Sequence, residues 1–227
     1  MEENGMNKPF FSVIVPLHNA ENYMRKALDS VRDQDFTDYE LIIVCDACMD
    51  NSEQIAHEYS ELVLNVDFGR AGLSRNAALD IATGEWILFL DDDDYYLPGA
   101  FRKIADAVTR TPEIDILAYG FDWKDVGIVK QHLGQIYIAV WNKAWKRSFI
   151  GNERFPDWIH SDDLGFAKKM HPRATFGFLG EPLYYYNFMR PGSVSDKIKA
   201  GEYDNSQFPE EIMSDVKGYE AWLKRLF

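Results

Sequence analysis

Four consecutive aspartates, Asp91 to Asp94, directly follow the apolar run 86–90 (WILFL). Five apolar residues in a row, rich in β-favouring types, predict a short buried strand. Like charges gathered after such a strand repel one another unless a cation lies among them. If the backbone stays extended, Asp91 and Asp93 point to the same side and form a hard oxygen site suited to Mg²⁺ or Mn²⁺. A solvated acidic loop is the alternative, and the residues alone leave both interpretations open.

A second pair of carboxylates, Asp162 and Asp163, precedes a helical pattern of apolar residues over 164–170. Acidic residues at a helix start often cap its N–H groups, and the helix dipole stabilises their charge. An ionised carboxylate can also act as a general base. From the residues alone, capping is the favoured interpretation and a catalytic base is the alternative.

The two cysteines of the chain, Cys45 and Cys48, form a C-x-x-C motif after the strand-like run 40–44. Such a motif in an α/β protein raises the hypothesis of redox chemistry at these two thiols. Asp46 beside Cys45 gives no obvious reason for a lowered thiol pKa, and a zinc site would need a second pair. Two reduced, structurally incidental thiols are therefore the favoured interpretation.

Strands and helices alternate through the first half of the chain. Helical spacing of apolar residues separates the predicted strands, which lie at 11–16, 40–45, 61–66, 86–90 and 114–119. This alternation predicts an α/β fold with a mostly parallel central sheet flanked by helices. Ligands of such folds bind beyond the carboxyl ends of the strands, which is where the aspartate run lies.

Composition excludes several classes of protein. The chain has 227 residues, of which 46% are hydrophobic, and a net charge of −13. The negative charge argues against non-specific binding of nucleic acid. No segment has the roughly 18 apolar residues of a membrane span. The polar, acidic start MEENGMNKPF is unlike a signal peptide, so the expected compartment is the cytoplasm.

The C-terminal segment, residues 208–227, carries an apolar stripe at helical spacing, formed by Ile212, Val216, Tyr219 and Leu223. Such a stripe predicts packing against the body of the protein or against a partner chain. The polar face mixes both charge signs, so attraction to anionic lipid at the inner face of a membrane is the disfavoured alternative. The sequence does not indicate an oligomeric state.

Eight segments, in this order, resemble the motifs of family 2 glycosyltransferases. Residues 13–19 (VIVPLHN) resemble the family's V-I-I-P-x-Y-N, and residues 83–94 (TGEWILFLDDDD) resemble T-G-E-Y-I-x-F-L-D-S-D-D. The other matches are 72–76 (GLSRN), 141–143 (WNK), 161–164 (SDDL), 181–186 (EPLYYY) and 190–193 (RPGS), together with a loose match at 44–50 (VCDACMD). Each motif alone is weak, but the ordered set is specific.

The resemblance implies a GT-A fold and an inverting sugar transfer from a nucleotide-diphosphate sugar, expected to be UDP-linked. The acceptor would be a saccharide or a lipid-linked saccharide, and Mn²⁺ or Mg²⁺ would assist. One domain would span 1–227, with a nucleotide-sugar-binding half at about 11–120, an acceptor half at about 121–195 and a helical extension at about 196–227.

The resemblance also assigns roles to residues. Asp93 and Asp91 would hold the metal, with Asp91 and Asp92 also contacting the nucleotide sugar. Asp163 falls on the family's base position, and its neighbour Asp162 could exchange roles with it. The other expected nucleotide-sugar contacts are Pro16, His18, Asn19, Asp46, Arg75, Arg190 and Ser193.

Two departures and two alternatives accompany the resemblance. Cys45 and Ala47 replace an aspartate and a glycine of the second motif, which makes recognition of the base less secure than the metal site. A non-catalytic nucleotide-sugar-binding protein would be expected to lack the base, whereas both Asp162 and Asp163 are present. A phosphatase of the haloacid-dehalogenase type would carry its aspartates on the first strand, whereas here they follow the fourth.

Overall fold

The computed structural model describes residues 8–133, 136–158 and 161–188. The first part of the chain forms β1 (Phe11–Leu17), α1 (Met24–Arg32), β2 (Tyr39–Asp46), α2 (Ser52–Ala56), β3 (Leu62–Val66), α3 (Ala71–Ile81) and β4 (Trp86–Phe89). The second part forms β5 (Tyr95–Tyr96), α4 (Ala100–Arg110), β6 (Ile116–Trp123), β7 (Gly127–Val129), β8 (Lys143–Lys146), α5 (Arg147–Ile150), α6 (Asp162–Met170), a 3₁₀ turn (His171–Arg173) and β9 (Phe176–Tyr186).

The strands form one sheet in the order β3-β2-β1-β4-β8-β6-β9-β5, with β7 paired to β6. The pairs β1–β2, β1–β4 and β2–β3 are parallel, as predicted from the alternation of strands and helices. Antiparallel pairs enter where β8 lies between β4 and β6. The aspartates that follow β4 therefore lie where the parallel half of the sheet meets the mixed half.

Side chains alternate across the sheet and build a core on each face. Helices α1 and α4 cover one face through Met24, Leu28, Phe101 and Ile104. Helices α3 and α6 cover the other face through Ala78, Leu79, Phe166 and Met170. Continuous apolar strands are typical of a sheet that is buried on both faces, and all four residues of β4 are buried.

Helices α3 and α6 approach each other closely at Gly72. A Cβ atom added there would lie 2.9 Å from Cβ of Asp162 and 3.1 Å from Cβ of Phe155. The amide of Asn76 locks the same region, since it donates to the carbonyl of Phe155 at 2.9 Å and accepts from its N–H at 2.8 Å. This contact brings the start of α6 against the helix that carries Arg75.

Three expectations concern residues that the structure does not describe, and they stay predictions. Arg190, Ser193 and the C-terminal segment 208–227 lie outside the described residues. Among the described residues, no helix is both long and apolar enough to cross a bilayer.

Candidate active site

Arg75 joins the two groups of carboxylates that the sequence singled out. Its side chain is 6% exposed, and its Nη2 atom lies 2.7 Å from Oδ1 of Asp91. Its Nη1 atom lies 2.6 Å from Oδ2 of Asp162 and 3.3 Å from Oδ1 of Asp163. One guanidinium therefore faces three carboxylates, which raise the pKa of Arg75 against the effect of burial. The surplus of negative charge favours a cation or a proton at this place.

The aspartate run forms a turn and is not extended. The N–H of Asp94 donates to the carbonyl of Asp91 at 3.2 Å. The hydroxyl of Tyr184 accepts from the N–H of Asp91 at 3.2 Å and donates to Oδ2 of Asp94 at 2.8 Å. The extended backbone, on which the expectation that Asp91 and Asp93 point to the same side depended, is therefore not found, because these hydrogen bonds close a turn.

Asp94 has a structural position within this turn. It is 1% exposed, and its Oδ1 atom accepts from the N–H of Asn187 at 2.8 Å. Burial, with the charges of Asp93 and Asp91, holds the pKa of Asp94 well above its usual value. The fourth aspartate thus anchors the turn to the end of β9, whereas Asp91, Asp92 and Asp93 are partly exposed.

A divalent cation would suit the partly exposed members of this turn. Mg²⁺ and Mn²⁺ are commonly held by one or two carboxylates together with substrate phosphates. Among the described residues, no cluster of three or more acidic, histidine or cysteine side chains is arranged to hold a metal by itself. The donor set therefore fits a cation shared with a diphosphate, and the metal roles of Asp93 and Asp91 stay predictions.

Asp163 combines partial burial, with a side chain that is 22% exposed, and an incomplete set of hydrogen bonds. Its Oδ2 atom accepts from the N–H of Val140 at 3.0 Å, while its Oδ1 atom is buried without a hydrogen-bond partner. Burial raises the pKa of Asp163 to about 7. The guanidinium of Arg75 opposes this shift, and the neighbouring carboxylates add to it. A pKa near neutrality is what a general base requires, so Asp163 has suitable electrostatics for that role.

The loop that contacts Asp163 is built around Lys143, whose role the sequence did not reveal. Lys143 is fully buried, and its Nζ atom donates to the carbonyls of Tyr137 and Ala139 at 2.5 Å each and to Oδ1 of Asn142 at 2.8 Å. Burial lowers the pKa of Lys143 to about 7, although three acceptors around one nitrogen favour the ammonium form. The W-N-K motif was the only sequence signal for this arrangement.

Four of the predicted nucleotide contacts lie at the carboxyl ends of β1 and β2, where ligands of open α/β sheets bind in a crevice. Pro16 pairs with Val44 in the parallel register. Nδ1 of His18 lies 2.7 Å from the carbonyl of Asp46, and Oδ1 of Asn19 accepts from the N–H of Met49 at 2.8 Å. Hydrogen bonds between the two loops therefore set the shape of this crevice.

The carboxylate oxygens of Asp46 accept hydrogen bonds from groups of the protein itself. It is 4% exposed, and its Oδ1 atom accepts from the N–H groups of Phe68 and Gly69 at 2.7 and 2.9 Å. Its Oδ2 atom accepts from the N–H of Arg70 at 2.9 Å and from the hydroxyl of Ser74 at 2.8 Å. Burial raises the pKa of Asp46, but these hydrogen bonds outweigh burial and lower it. The predicted contact of Asp46 with a base would have to replace one of these bonds.

Comparisons with known proteins agree with this geometry. The family model described as "Glycosyl transferase family 2" matches residues 12–168, which cover the crevice, the aspartate turn and most of α6.

The chain belongs to glycosyl transferase family 2.

Two bacterial relatives are similar to this family 2 chain along most of its length. The poly(ribitol-phosphate) β-N-acetylglucosaminyltransferase TarS of Staphylococcus aureus is 41% identical over 207 residues, covering 80% of this chain. The glycosyltransferase GlyA of Streptococcus pneumoniae is 38% identical over 222 residues, covering 81% of this chain. The chain spans 36% of TarS and 31% of GlyA, so these relatives are much longer proteins.

Solved structures confirm the expected GT-A fold of this family 2 chain. S. aureus TarS 1–349 in complex with UDP-GlcNAc superposes with a TM-score of 0.72 and 26% identity, covering 82% of this chain and 60% of that one. A mannosyltransferase from Pyrobaculum calidifontis, in complex with GDP-Man and Mn²⁺, superposes with a TM-score of 0.67 over 96% of this chain and 70% of that one. Its identity is 17%, so this second likeness concerns the fold alone.

The structure of the family 2 chain thus brings together residues that lie far apart in sequence. Asp91, Asp162 and Asp163 meet at Arg75. The sequence did not predict the roles of Lys143, Tyr184 and Ser74 in the site. Hydrogen bonds to residues elsewhere in the chain determine these roles.

Proposed function

We propose that the protein is an inverting glycosyltransferase that moves a sugar from a UDP-linked donor to a hydroxyl group of a saccharide or lipid-linked saccharide. One observation carries the proposal: the buried side chain of Arg75 links Asp91, at the end of β4, with Asp162 and Asp163, at the start of α6. One guanidinium therefore contacts both the predicted binding site of the diphosphate, at Asp91, and the predicted base, Asp163.

The chemistry follows from this placement. The acceptor hydroxyl must lose a proton as it attacks the anomeric carbon, and Asp163 is the proposed base because its pKa of about 7 suits proton uptake near neutrality. Asp162 accepts a hydrogen bond of 2.6 Å from Arg75 and fixes the guanidinium beside Asp163. A Mn²⁺ or Mg²⁺ ion, held by Asp91, Asp93 and the diphosphate, would stabilise the charge of the leaving group.

Uracil is the proposed base of the donor. TarS, similar to this chain in sequence and fold, has been solved with UDP and with UDP-GlcNAc. The crevice between β1 and β2, next to His18 and Asn19, is the proposed place of the uracil. The proposed place of the reaction is the cytoplasm. Association with the inner face of a membrane stays a prediction that concerns the C-terminal segment.

Donor turnover tests the proposal. UDP-GlcNAc is incubated with the protein, Mn²⁺ and simple saccharide acceptors, and released UDP is measured. We expect Asp163→Asn to lower UDP release by about a hundredfold or more, while its affinity for UDP in calorimetry changes by less than about threefold. Asp106→Asn is the matched control, since Asp106 is exposed on α4 and should change neither quantity.

Other outcomes would contradict the proposal in different ways. Tight binding of UDP-sugars without turnover in any acceptor mixture would favour a non-catalytic nucleotide-sugar-binding protein. Full turnover by an Asp162→Asn, Asp163→Asn double variant would place the base elsewhere. A clear preference for GDP over UDP would show that the crevice with Cys45 and Ala47 recognises a different base.

A further inference from the structure

The two cysteines lie together beside the crevice between β1 and β2. Cys45 is the last residue but one of β2 and is 2% exposed, whereas Cys48 is partly exposed. Cys48 packs against the core cluster that contains Cys45, and it contacts the carbonyl of Leu17, the residue that pairs with Cys45 in the sheet. Ala47, between them, has a φ of 49°, so the chain makes a left-handed turn between the two cysteines.

Cys48 also contacts the loop after β1. Its Sγ atom lies 3.7 Å from the carbonyl of Leu17. The side chain of Asn19 in turn accepts from the N–H of Met49 at 2.8 Å. The thiol of Cys48 is therefore part of the set of contacts that shapes the crevice.

The surroundings make the two thiols unequal. The S–H of Cys45 lowers the pKa of Cys48 to about 7, helped by the N–H of Asn19 and opposed by burial. The hydrogen bond with Cys48, together with burial, raises the pKa of Cys45. A partly exposed sulfur with thiolate character beside a buried partner thiol is the usual arrangement of an oxidisable pair.

We propose that Cys45 and Cys48 form a modification site, at which a peroxide oxidant produces an intramolecular disulfide that weakens binding of UDP in the crevice. The second half of this statement depends on the proposed function, whereas formation of the disulfide does not.

The reaction balances with a peroxide as the co-reactant. The thiolate of Cys48 attacks one oxygen of hydrogen peroxide, the O–O bond breaks, and a sulfenic acid forms while the other oxygen leaves as hydroxide, which takes up the proton that Cys48 lost on ionising and becomes water. The sulfur of Cys45 then attacks the sulfenic sulfur, and the S–S bond forms. The departing hydroxide takes the proton of Cys45 as a second water, so two thiols are oxidised and one peroxide is reduced.

Closure of the disulfide must displace Cys48 and not Cys45. An S–S bond is about 2.0 Å long, so the two sulfurs have to approach each other. Cys45 is held in the sheet between Leu17 of β1 and Asn65 of β3. Cys48 lies outside the strand, so it moves, gives up its contact with the carbonyl of Leu17, and displaces the adjacent Met49, whose N–H donates to Asn19. The crevice then loses the contacts that set its shape.

The test treats the full chain with hydrogen peroxide, removes the oxidant, and measures intact mass, free thiols and affinity for UDP. We expect a loss of 2 Da, disappearance of both thiols, and UDP binding weakened at least tenfold, all reversed by dithiothreitol. A Cys45→Ser, Cys48→Ser double variant keeps every methionine, including the exposed Met49. Its affinity should be the same before and after peroxide, which separates thiol chemistry from oxidation of methionine.

Two results would overturn the proposal. Thiols that stay free, or that oxidise to sulfinic acid without a loss of 2 Da, would show that the pair does not close. A disulfide that forms while UDP affinity stays unchanged would show that the pair does not control the crevice. Failure of the reduced protein to bind any UDP-linked ligand would instead contradict the proposed function, and the mass and thiol measurements would still decide whether the disulfide forms.

Discussion

At the scale of single residues, Arg75 has the most demanding environment. Its buried guanidinium lies among Asp91, Asp162 and Asp163, and no other basic side chain among the described ion pairs contacts these carboxylates. A buried ion pair contributes little net stability when intact, but removal of one partner leaves charges without compensation. Arg75 is therefore important because its removal would leave these three carboxylates without a compensating positive charge.

Arg75→Met should destabilise the protein by about 3–5 kcal/mol, the usual effect of breaking a buried ion pair. Urea denaturation measures this change in the free energy of unfolding. Arg25→Met is the matched control, because Arg25 contacts Glu58 in an ion pair whose side chains are 49% and 50% exposed. Exposed pairs contribute about 0–1 kcal/mol, so equal losses in the two variants would contradict the role given to Arg75.

The pKa of Asp163 predicts a pH dependence of turnover. A general base must be deprotonated, and burial raises the pKa of Asp163 to about 7. We expect kcat/KM to rise with pH up to about 7, to level off above it, and to fall by up to about tenfold per unit below it. An acidic limb with a midpoint near 4 would mean that the base has an ordinary carboxylate pKa.

The same shift has a consequence for stability with a definite sign. Because the folded pKa of Asp163 lies above the usual 3.8, the folded state binds more protons than the unfolded state between about pH 4 and pH 7. This group therefore lowers the free energy of unfolding as pH rises through that window. In Asp163→Asn this contribution should be absent, which denaturation at pH 5 and at pH 8 can measure.

At the scale of elements, the loop before β8 connects the core with the proposed base. Nζ of Lys143 satisfies two backbone carbonyls and one side-chain carbonyl of this loop. The indole N–H of Trp145 donates to the carbonyl of Val140 at 3.0 Å, and the N–H of Val140 reaches Asp163. The position of the proposed base thus depends on β8 and the loop before it, which are separate from α6 along the chain.

Lys143→Met should leave these carbonyls without a donor, at about 1–3 kcal/mol for each buried group that stays unpaired. Turnover should fall more than UDP affinity, because the loop contacts Asp163 and not the crevice. Lys146→Met on the same strand is the control, since Nζ of Lys146 contacts the carbonyl of Pro112 at an exposed site. Equal turnover in both variants would contradict a positioning role for Lys143.

The contact between α3 and α6 has its own test. In Gly72→Ala, the new Cβ would meet the Cβ atoms of Asp162 and Phe155 at 2.9 and 3.1 Å, and such atoms can move only with the backbone. We expect a loss of about 1–3 kcal/mol in the free energy of unfolding and a lower turnover. Gly180→Ala is the control, because open space surrounds that position. If Gly72→Ala leaves the free energy of unfolding and the turnover unchanged, α3 and α6 can move apart without destabilising the protein.

At the scale of the whole molecule, ligand binding should raise the melting temperature through mass action. UDP with Mn²⁺ at about a hundred times its Kd should add about 2.7 kcal/mol to the free energy of unfolding. We expect a smaller shift with UDP alone and little further gain from Mn²⁺ in Asp93→Asn. Equal shifts with and without the metal would contradict a cation held by the aspartate turn.

Local patterns in the sequence determined much of the architecture. The apolar runs predicted four parallel strands of the sheet close to their observed bounds, and the spacing of apolar residues located α1, α3 and α4. The ordered motifs identified the family, because each motif is a continuous stretch that keeps its residue types and spacing. The acidic residues that now form the candidate site were visible for the same reason.

Tertiary structure alone decided how those residues act. Arg75 and Asp162 are 87 positions apart, and Asp94 and Tyr184 are 90 positions apart, so no periodicity can relate them. The turn at Asp91, the commitment of Asp46 to the start of α3 and the raised pKa of Asp163 all depend on burial and on donors from distant elements. A carboxylate's chemistry is set by its solvation and its neighbours, and only the folded chain specifies either.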